Sequence, residues 1–373
     1  MRSEEILRSI NALPQQRVKL MEVCGTHTMS IARAGIKRLL PEGVELLSGP
    51  GCPVCVTPGE VMDAALELSG RENVTIAAYG DMLRVPGTRR GDDLAHCRAR
   101  GADVRIVYSP MDALDMACDE PERQFVFLGV GFETTAPGTA AAVMEARRRE
   151  TGNFTVFSML KRVEPALRAL IAAEGFDVDG FICPGHVAVI TGAEEFSFLP
   201  EEYGLPAAVA GFEPEDILLA IYHLLDMLAR GEPALVNDYG RAVSGGGNAL
   251  AQGAMERVFA PRRDVWRGLG EIERSGLALR DEFADFDAER RFGITIHPAV
   301  ETTPCRCGDV ITGRIRPADC PMFERVCTPD DPLGSCMVSG EGACAAAYKY
   351  EGVLGWTRSS RLTTAAGGKR PRA

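Results

Sequence analysis

The chain has 373 residues, of which 46% are hydrophobic and 25% charged, and its formal net charge is −11. This length exceeds what one hydrophobic core usually supports, so we expect two or three domains, and the negative charge argues against nucleic acid or an anionic membrane as the main ligand. The acidic start MRSEEILRSI is unlike a signal peptide, and no run of about 20 apolar residues occurs, which predicts a cytoplasmic protein.

Between about residues 17 and 235, short β-branched runs alternate with longer helical runs, a pattern that indicates an α/β fold with parallel sheets. The predicted strands are Val18–Val23, Val44–Leu47, Val74–Tyr79, Val104–Tyr108, Phe125–Val130, Thr155–Met159, Gly180–Ile182 and Ala207–Val209. The predicted helices are Glu60–Leu68, Asp112–Cys118, Thr139–Arg149, Val163–Ala173 and Pro214–Ala229.

A break near residues 119–123 predicts two similar α/β domains, residues 17–118 and 119–235. Residues 1–16 and 236–360 are assigned to a third, loop- and helix-rich domain, in which a charged helical stretch is expected over Glu271–Arg290. The Gly-, Pro- and Arg-containing residues 361–373 are expected to form a disordered tail.

The first predicted strand ends at Cys24, and the chain then turns through Gly25 into a helix. A thiol in this position faces the edge of a parallel sheet, where α/β proteins bind ligands, and a helix N-terminus and the nearby His27 would lower its pKa. Because Cys24, Thr26, His27 and Thr28 converge on one turn, we favour a functional thiol over a packed cysteine at a strand end.

Cys52 and Cys55 form a C-x-x-C motif between a strand and a helix, which is the setting of thioredoxin-like redox pairs. Half of a zinc site is the alternative, but no second C-x-x-C motif occurs. Two further loops place Thr134, Thr135 and His186 after apolar strands. These residues either line a cleft or serve as helix caps and turn residues.

Six of the twelve cysteines lie in the segment 305–344, surrounded by proline and glycine. A segment with so little apolar periodicity cannot fold on core burial alone, and metal–thiolate bonds would supply the missing free energy. Structural zinc usually shows paired C-x2-C motifs, whereas wide all-cysteine spacing suits a [4Fe–4S] cluster. An iron–sulfur cluster is therefore favoured, with zinc and disulfides as alternatives. A cubane takes four thiolates, and the two left over are either a redox pair or ordinary buried thiols.

Several long strings of the sequence resemble the HypD family of hydrogenase maturation factors over about residues 17–350: MEVCGTHT, SGPGCPVCVTP, GFETTAP, ICPGHV, GFEP and the closing run from CRCGDV to GACAAAYKY. The resemblance implies two similar α/β domains and a third domain that carries a [4Fe–4S] cluster. It also implies a scaffold, rather than a conventional turnover enzyme, for assembly of the Fe(CN)2CO moiety of [NiFe] hydrogenase. The partners it implies are the chaperone HypC and the cyanide donor HypE, which works with HypF.

The resemblance further implies that Cys24 binds the transient Fe(CN)2CO iron jointly with a HypC cysteine, near a Cys52–Cys55 dithiol–disulfide pair. Thr26 and His27 would lie in the same pocket, and Glu341 would assist proton movement. Likeness to ferredoxin–thioredoxin reductase chemistry implies four cluster ligands, Cys305, Cys320, Cys327 and Cys344, and a redox pair, Cys307 and Cys336. The alternatives are a general iron–sulfur thiol–disulfide reductase acting on protein substrates and a zinc-stabilised binding module.

Overall fold

The computed structural model describes residues 3–14, 17–297 and 304–352. The strands are β1 Val18–Glu22, β2 Val44–Ser48, β3 Val74–Ala78, β4 Asp103–Ile106, β5 Gln124–Gly131, β6 Phe154–Leu160, β7 Gly180–Pro184, β8 Ala207–Ala210, β9 Leu235–Asn237, β10 Phe259–Trp266 and β11 Gly270–Leu279. The helices are α1 Ser3–Ala12, α2 Gly25–Ala34, α3 Pro53–Val56, α4 Gly59–Ser69, α5 Leu94–Ala99, α6 Pro110–Asp119, α7 Ala136–Arg148, α8 Val163–Ala172, α9 Gly185–Thr191, α10 Phe198–Tyr203, α11 Pro214–Arg230, α12 Ala249–Val258, α13 Ala288–Phe292, α14 Cys307–Ile311, α15 Ser335–Val338 and α16 Ala343–Ala346, and a π-helical turn follows at Ala347–Glu351.

Two parallel sheets organise the chain, which confirms the predicted α/β class. The first sheet has the strand order β2-β1-β7-β8-β9, and the second has the order β4-β3-β5-β6. Every residue of β6 and β7 is buried. Parallel strands covered by helices on both faces have this continuous apolar character, and for this reason the predicted strands and helices are found within a few residues of their expected limits.

The strands of the two sheets are interleaved along the chain. The first sheet takes β1 and β2 from the start of the chain and β7, β8 and β9 from beyond residue 180, whereas β3 to β6 form the second sheet. In the first sheet Leu20 pairs with Gly180, and in the second Ile76 pairs with Val126. The strand pairing therefore groups the residues differently from the predicted division between residues 118 and 119.

Helix α1 illustrates how the helices cover the sheets. It buries Ile6 and Ile10 in a cluster that includes Ile217 and Ile221 of α11. Helix α11 begins with Pro214 in its first turn and ends at Gly231, which has a φ of 70° in the left-handed region. Proline at the start and glycine just past the end are the residues that these positions favour. Residues 3–12, predicted to belong with the C-terminal domain, thus pack on a helix of the first sheet.

The helix expected over Glu271–Arg290 was wrong for most of its length. Residues 270–279 form β11, which pairs antiparallel with β10. The turn between them uses Gly268 and Gly270, both with φ of 79°, and Trp266 is buried at the end of β10. Charged residues on the exposed face of this hairpin resemble a helical charge pattern in sequence, but cross-strand pairing and burial of the other face decide the structure.

The hairpin lies against the second sheet, where Ser158 Oγ of β6 donates to the Leu277 carbonyl at 2.6 Å. The C-terminal cysteine segment follows as short helices and turns, as predicted. The expected tail at residues 361–373 lies outside the described residues. Within residues 3–14, 17–297 and 304–352, no helix is both long and apolar enough to cross a bilayer.

Candidate functional site

Cys24 lies where β1 ends and α2 begins, as predicted, and only 8% of its surface is exposed. Burial raises the pKa of the Cys24 thiol to about 12, and the negative charge of Glu341 adds to this rise. The backbone N–H groups of His27 and Thr26 act in the opposite direction, but their effect is smaller. The lowered pKa expected from the sequence is therefore wrong, because desolvation outweighs the helix N-terminus.

Glu22, the last residue of β1, is hydrogen-bonded to the Cys24 turn through its side chain. It is 2% exposed, accepts a hydrogen bond from Thr28 Oγ1 at 2.6 Å, and accepts one from the Cys24 backbone N–H at 3.2 Å. Burial raises the pKa of Glu22 to about 7. The sequence analysis missed this residue, although an acid at the end of an apolar strand was a visible signal.

The loop that carries Cys52 rests directly on the Cys24 backbone. The Gly25 N–H donates to the Gly51 carbonyl at 2.9 Å. A Cβ atom added to Gly51 would lie 2.6 Å from Cys24 Cα and closer still to Cys24 N. Glycine is thus required at position 51 for the two loops to meet.

Cys52 and Cys55 form a disulfide, with their Cα atoms 5.2 Å apart. Both residues are buried, and the Cys55 backbone N–H donates to Cys52 Sγ at 3.2 Å. The predicted C-x-x-C pair is therefore brought beside Cys24 at the carboxyl edge of the first sheet, where parallel strands place ligands.

His27 and His186 flank a single aromatic ring. The Phe212 ring centroid lies 4.7 Å from that of His27 and 4.0 Å from that of His186. Burial lowers the pKa of His27 to about 4, so its ring is neutral, and His27 Nε2 donates to the Gly211 carbonyl at 2.9 Å. His27 Nδ1 is buried without a hydrogen-bond partner among the described residues. The Phe212 ring therefore lies between His186 and His27 of the Cys24 turn.

Glu341 joins the C-terminal cysteine segment to the Cys24 turn. Thr26 Oγ1 donates to Glu341 Oε1 at 2.9 Å, and a Cβ on Gly25 would overlap the Glu341 backbone and side chain. Burial raises the pKa of Glu341, and the negative charge of Asp81 adds to this. The structure thus brings Thr26 and Glu341, predicted from distant parts of the chain, into one contact.

All six C-terminal cysteines line one cavity: Cys305, Cys307, Cys320, Cys327, Cys336 and Cys344. The Cys307 thiol contacts those of Cys305 and Cys336, and Cys336 also contacts Cys344. The Leu333 backbone N–H donates to Cys327 Sγ at 3.3 Å.

The six thiols of this pocket are chemically compatible with an iron–sulfur cluster. Among the described residues, no group of three or more His, Cys, Asp or Glu side chains is arranged to hold a metal ion. Six thiols around a common space, with a backbone N–H already aimed at one sulfur, are the ligands and second-sphere donors that a multi-iron cluster uses.

Two buried serines of the C-terminal segment, missed by the sequence analysis, lie between this cavity and the Cys52–Cys55 disulfide. Ser335 Oγ donates to the Cys55 carbonyl at 3.3 Å and lies 3.9 Å from Cys307 Sγ. Ser339 Oγ lies 3.4 Å from Cys52 Sγ. Serine in a Gly-rich segment gives no sequence signal of such a role, because it is common in turns.

Thr134 and Thr135 lie at the carboxyl end of β5, in the second sheet. Thr134 is exposed, and Thr135 precedes α7 and donates to the Phe132 carbonyl at 3.3 Å. No hydrogen bond of the described residues joins either threonine to Cys24. The buried member of this loop is Glu133, whose pKa burial raises to about 7.

Comparisons with known proteins agree on one family. The family model described as "HypD: Hydrogenase formation hypA family" matches residues 2–351. The hydrogenase maturation factor HypD of Rhodobacter capsulatus is 44% identical over 348 residues, which cover 92% of each chain. The corresponding factors of Azotobacter vinelandii and Escherichia coli are 45% and 42% identical over 343 and 337 residues, in both cases covering 90% of each chain.

Proposed function

The chain belongs to the HypD family of hydrogenase maturation factors, and from this premise we propose that it is the cytoplasmic scaffold on which the Fe(CN)2CO moiety of [NiFe] hydrogenase is assembled. The iron is cargo, bound by the Cys24 thiolate together with a cysteine of a HypC-type chaperone. A HypE-type partner, working with HypF, delivers the cyanide. The soft thiolate ligand suits such an iron.

One observation carries the proposal: the three chain segments that bear the cysteines contact one another at one place. The Cys52 loop rests on Cys24, and Ser339 and Glu341 of the cysteine-rich segment contact Cys52 and Thr26. The partners in the last two contacts are 287 and 315 residues apart in the sequence, so the fold brings the cysteine-rich segment to the Cys24 turn from the far end of the chain. The arrangement supports a site where redox change at thiols accompanies metal binding.

We assign the resident cofactor to the C-terminal cavity as a [4Fe–4S] cluster held by Cys305, Cys320, Cys327 and Cys344, with Cys307 and Cys336 as the adjacent redox pair. When bound, such a cluster supplies single electrons to nearby thiols. The Cys307 and Cys336 thiols are in contact, which is the proximity that a disulfide requires, although each also contacts a proposed cluster ligand, Cys305 or Cys344. Ser335 spans the distance from Cys307 to the backbone of Cys55.

The chain's own groups then have separate tasks. Because burial raises the pKa of the Cys24 thiol to about 12, iron binding would displace its proton, and we assign Glu341, whose pKa is also raised, as the group that accepts and passes on that proton. Thr26 orients that carboxyl group by its hydrogen bond. His27, neutral and fixed on the Gly211 carbonyl, shapes the pocket wall beside Phe212.

The test is spectroscopy of the complex with a HypC-type partner, co-expressed with HypE and HypF and purified without oxygen. Infrared bands of iron-bound cyanide and CO, together with Mössbauer signals that count cluster iron and scaffold iron separately, are expected. Cys24→Ala should lose the infrared bands and keep the cluster signal.

Cys118→Ala is the matched control, because Cys118 is an exposed thiol whose described polar neighbours are Thr151 and Arg149. Retention of the infrared bands by Cys24→Ala would refute the scaffold role. Absence of those bands from the parent complex, combined with rapid reduction of disulfides in unrelated proteins, would instead establish the general thiol–disulfide reductase.

A further inference from the structure

Ser339 makes a contact with the Cys52–Cys55 disulfide that has a defined direction. Its hydroxyl lies 3.4 Å from Cys52 Sγ, in a position where Ser339 is only 1% exposed. A sulfur in a disulfide carries no proton, so in this pair only the hydroxyl is able to donate. The Glu341 backbone N–H donates to Ser339 Oγ at 3.2 Å, which occupies an oxygen lone pair and leaves the hydroxyl proton for the sulfur.

The two sulfurs of the disulfide are therefore unequal. Cys52 Sγ receives hydrogen bonds from the Ser339 hydroxyl and from the Cys55 backbone N–H at 3.2 Å. Among the described residues no such donor is directed at Cys55 Sγ. Hydrogen bonds to an ionised acceptor are stronger than those to a neutral one, so both donors favour negative charge on Cys52.

We propose that Ser339 is a positioning residue that makes Cys52 the sulfur on which the electron pair of the S–S bond remains when the disulfide is reduced. The inference rests on the proposed redox role of the pair. The reductant is a dithiol: the disulfide gains two electrons and two protons, the S–S bond breaks, and the dithiol is oxidised to its own disulfide. The Ser339 hydroxyl donates to the Cys52 thiolate formed on the way.

Ser335 provides a matched control, because it is a second buried serine beside the same disulfide with a different target. Its hydroxyl donates to the Cys55 carbonyl rather than to either sulfur of the disulfide. Ser335 is as buried as Ser339, so removal of either hydroxyl disturbs a buried position. In Ser335→Ala, however, Cys52 Sγ keeps both of its hydrogen-bond donors, the Ser339 hydroxyl and the Cys55 backbone N–H.

The experiment measures the equilibrium of the Cys52–Cys55 disulfide in the full-length, anaerobically purified protein against reduced and oxidised dithiothreitol. Mass spectrometry of alkylated peptides reads out the result. We expect Ser339→Ala to shift the equilibrium constant towards the disulfide about tenfold, which lowers the reduction potential by about 30 mV. Ser335→Ala should stay within about twofold of the parent, and Ser339→Thr, which keeps the hydroxyl, should restore the parent value.

Equal shifts in Ser339→Ala and Ser335→Ala, or none in either, would overturn the proposal. A second measurement needs no variant: in the reduced parent protein, the pH at which iodoacetamide alkylation reaches half its maximal rate should be lower for Cys52 than for Cys55. The opposite order would also overturn it. If Cys52→Ser supports full hydrogenase maturation, the proposed function of the pair fails while the assignment of Ser339 remains measurable.

Discussion

The contact between the Cys24 turn and the Cys52 loop is tested most directly by Gly51→Ala. The φ of Gly51 is not in the left-handed region, so alanine is permitted there by the backbone, and only space is at issue. The added Cβ would lie 2.6 Å from Cys24 Cα, whereas ordinary contact begins at 3.4 Å. Because the nearest atom, Cys24 N, would be only 2.2 Å away, one loop must move by at least about 1.2 Å in a close-packed interior.

The cost follows from what surrounds the new methyl group. Its nearest neighbours are backbone atoms of Val23 and Cys24, which cannot rotate away as a side chain would. Overpacking of this kind costs about 1–3 kcal/mol. The displacement also lengthens the hydrogen bond from the Gly25 N–H to the Gly51 carbonyl, so Cys24 moves relative to the disulfide. We expect lower thermal stability and a larger proportional loss of scaffold iron.

The assay compares Gly51→Ala with Gly152→Ala in thermal unfolding and in cyanide-bearing iron per complex, measured by infrared absorbance. Gly152 is the control, since its added Cβ meets nothing within 4 Å and its φ is not positive. If Gly51→Ala matches Gly152→Ala in both measurements, the two loops do not depend on each other as described.

Three further substitutions test other parts of the structure. Glu133→Gln should be most stabilising at high pH, because the pKa of Glu133 is about 7 in the folded protein and 4.5 in the unfolded chain. The parent therefore loses about 3 kcal/mol of stability as the pH rises between those values, and the variant does not. Equal effects of the substitution in urea unfolding at pH 5 and pH 8 would contradict this. Gly334→Ala should lower the cluster iron content after anaerobic reconstitution, because the added Cβ would overlap Cys305 Sγ. Gly340→Ala is the control and should leave the iron content unchanged, because the space around its Cβ is open. Equal iron contents in the two variants would count against the cavity as the cluster site. Gly253→Ala, in an open position inside α12, should raise the free energy of unfolding by about 1 kcal/mol, and a decrease would show that this helix position is not as described.

The sequence predicted local structure well where one physical pattern dominates. The buried parallel strands, such as β5 and β6, are continuous apolar runs bounded by turns, and these are recognisable without knowledge of their partners. The hairpin β10–β11 was missed because it carries several arginine, aspartate and glutamate residues, a composition equally typical of a surface helix.

Sheet membership and the detailed site could not be read in the same way. Nothing local to Leu20 indicates that its partner is Gly180 rather than a nearer strand, because pairing depends on the packing of the whole chain. The cysteines were visible from their spacing and setting. The raised pKa of Cys24 was not, since it arises from burial under Glu341 and the Gly51 loop, contacts that form only in three dimensions.

The interleaved strand order determines when, during translation, each strand of the first sheet meets its neighbours. The Cys24 strand β1 pairs with β2 early, but its other neighbour, β7, is made only after the entire second sheet has been translated. At translation rates of about 5–20 residues per second, that interval is roughly 10–30 s. During it, the Cys24 and Cys52 thiols lack the strands and the cysteine-rich segment that later bury them. The thiols of a growing chain therefore stay accessible to solvent, and to oxidation, until its last third leaves the ribosome.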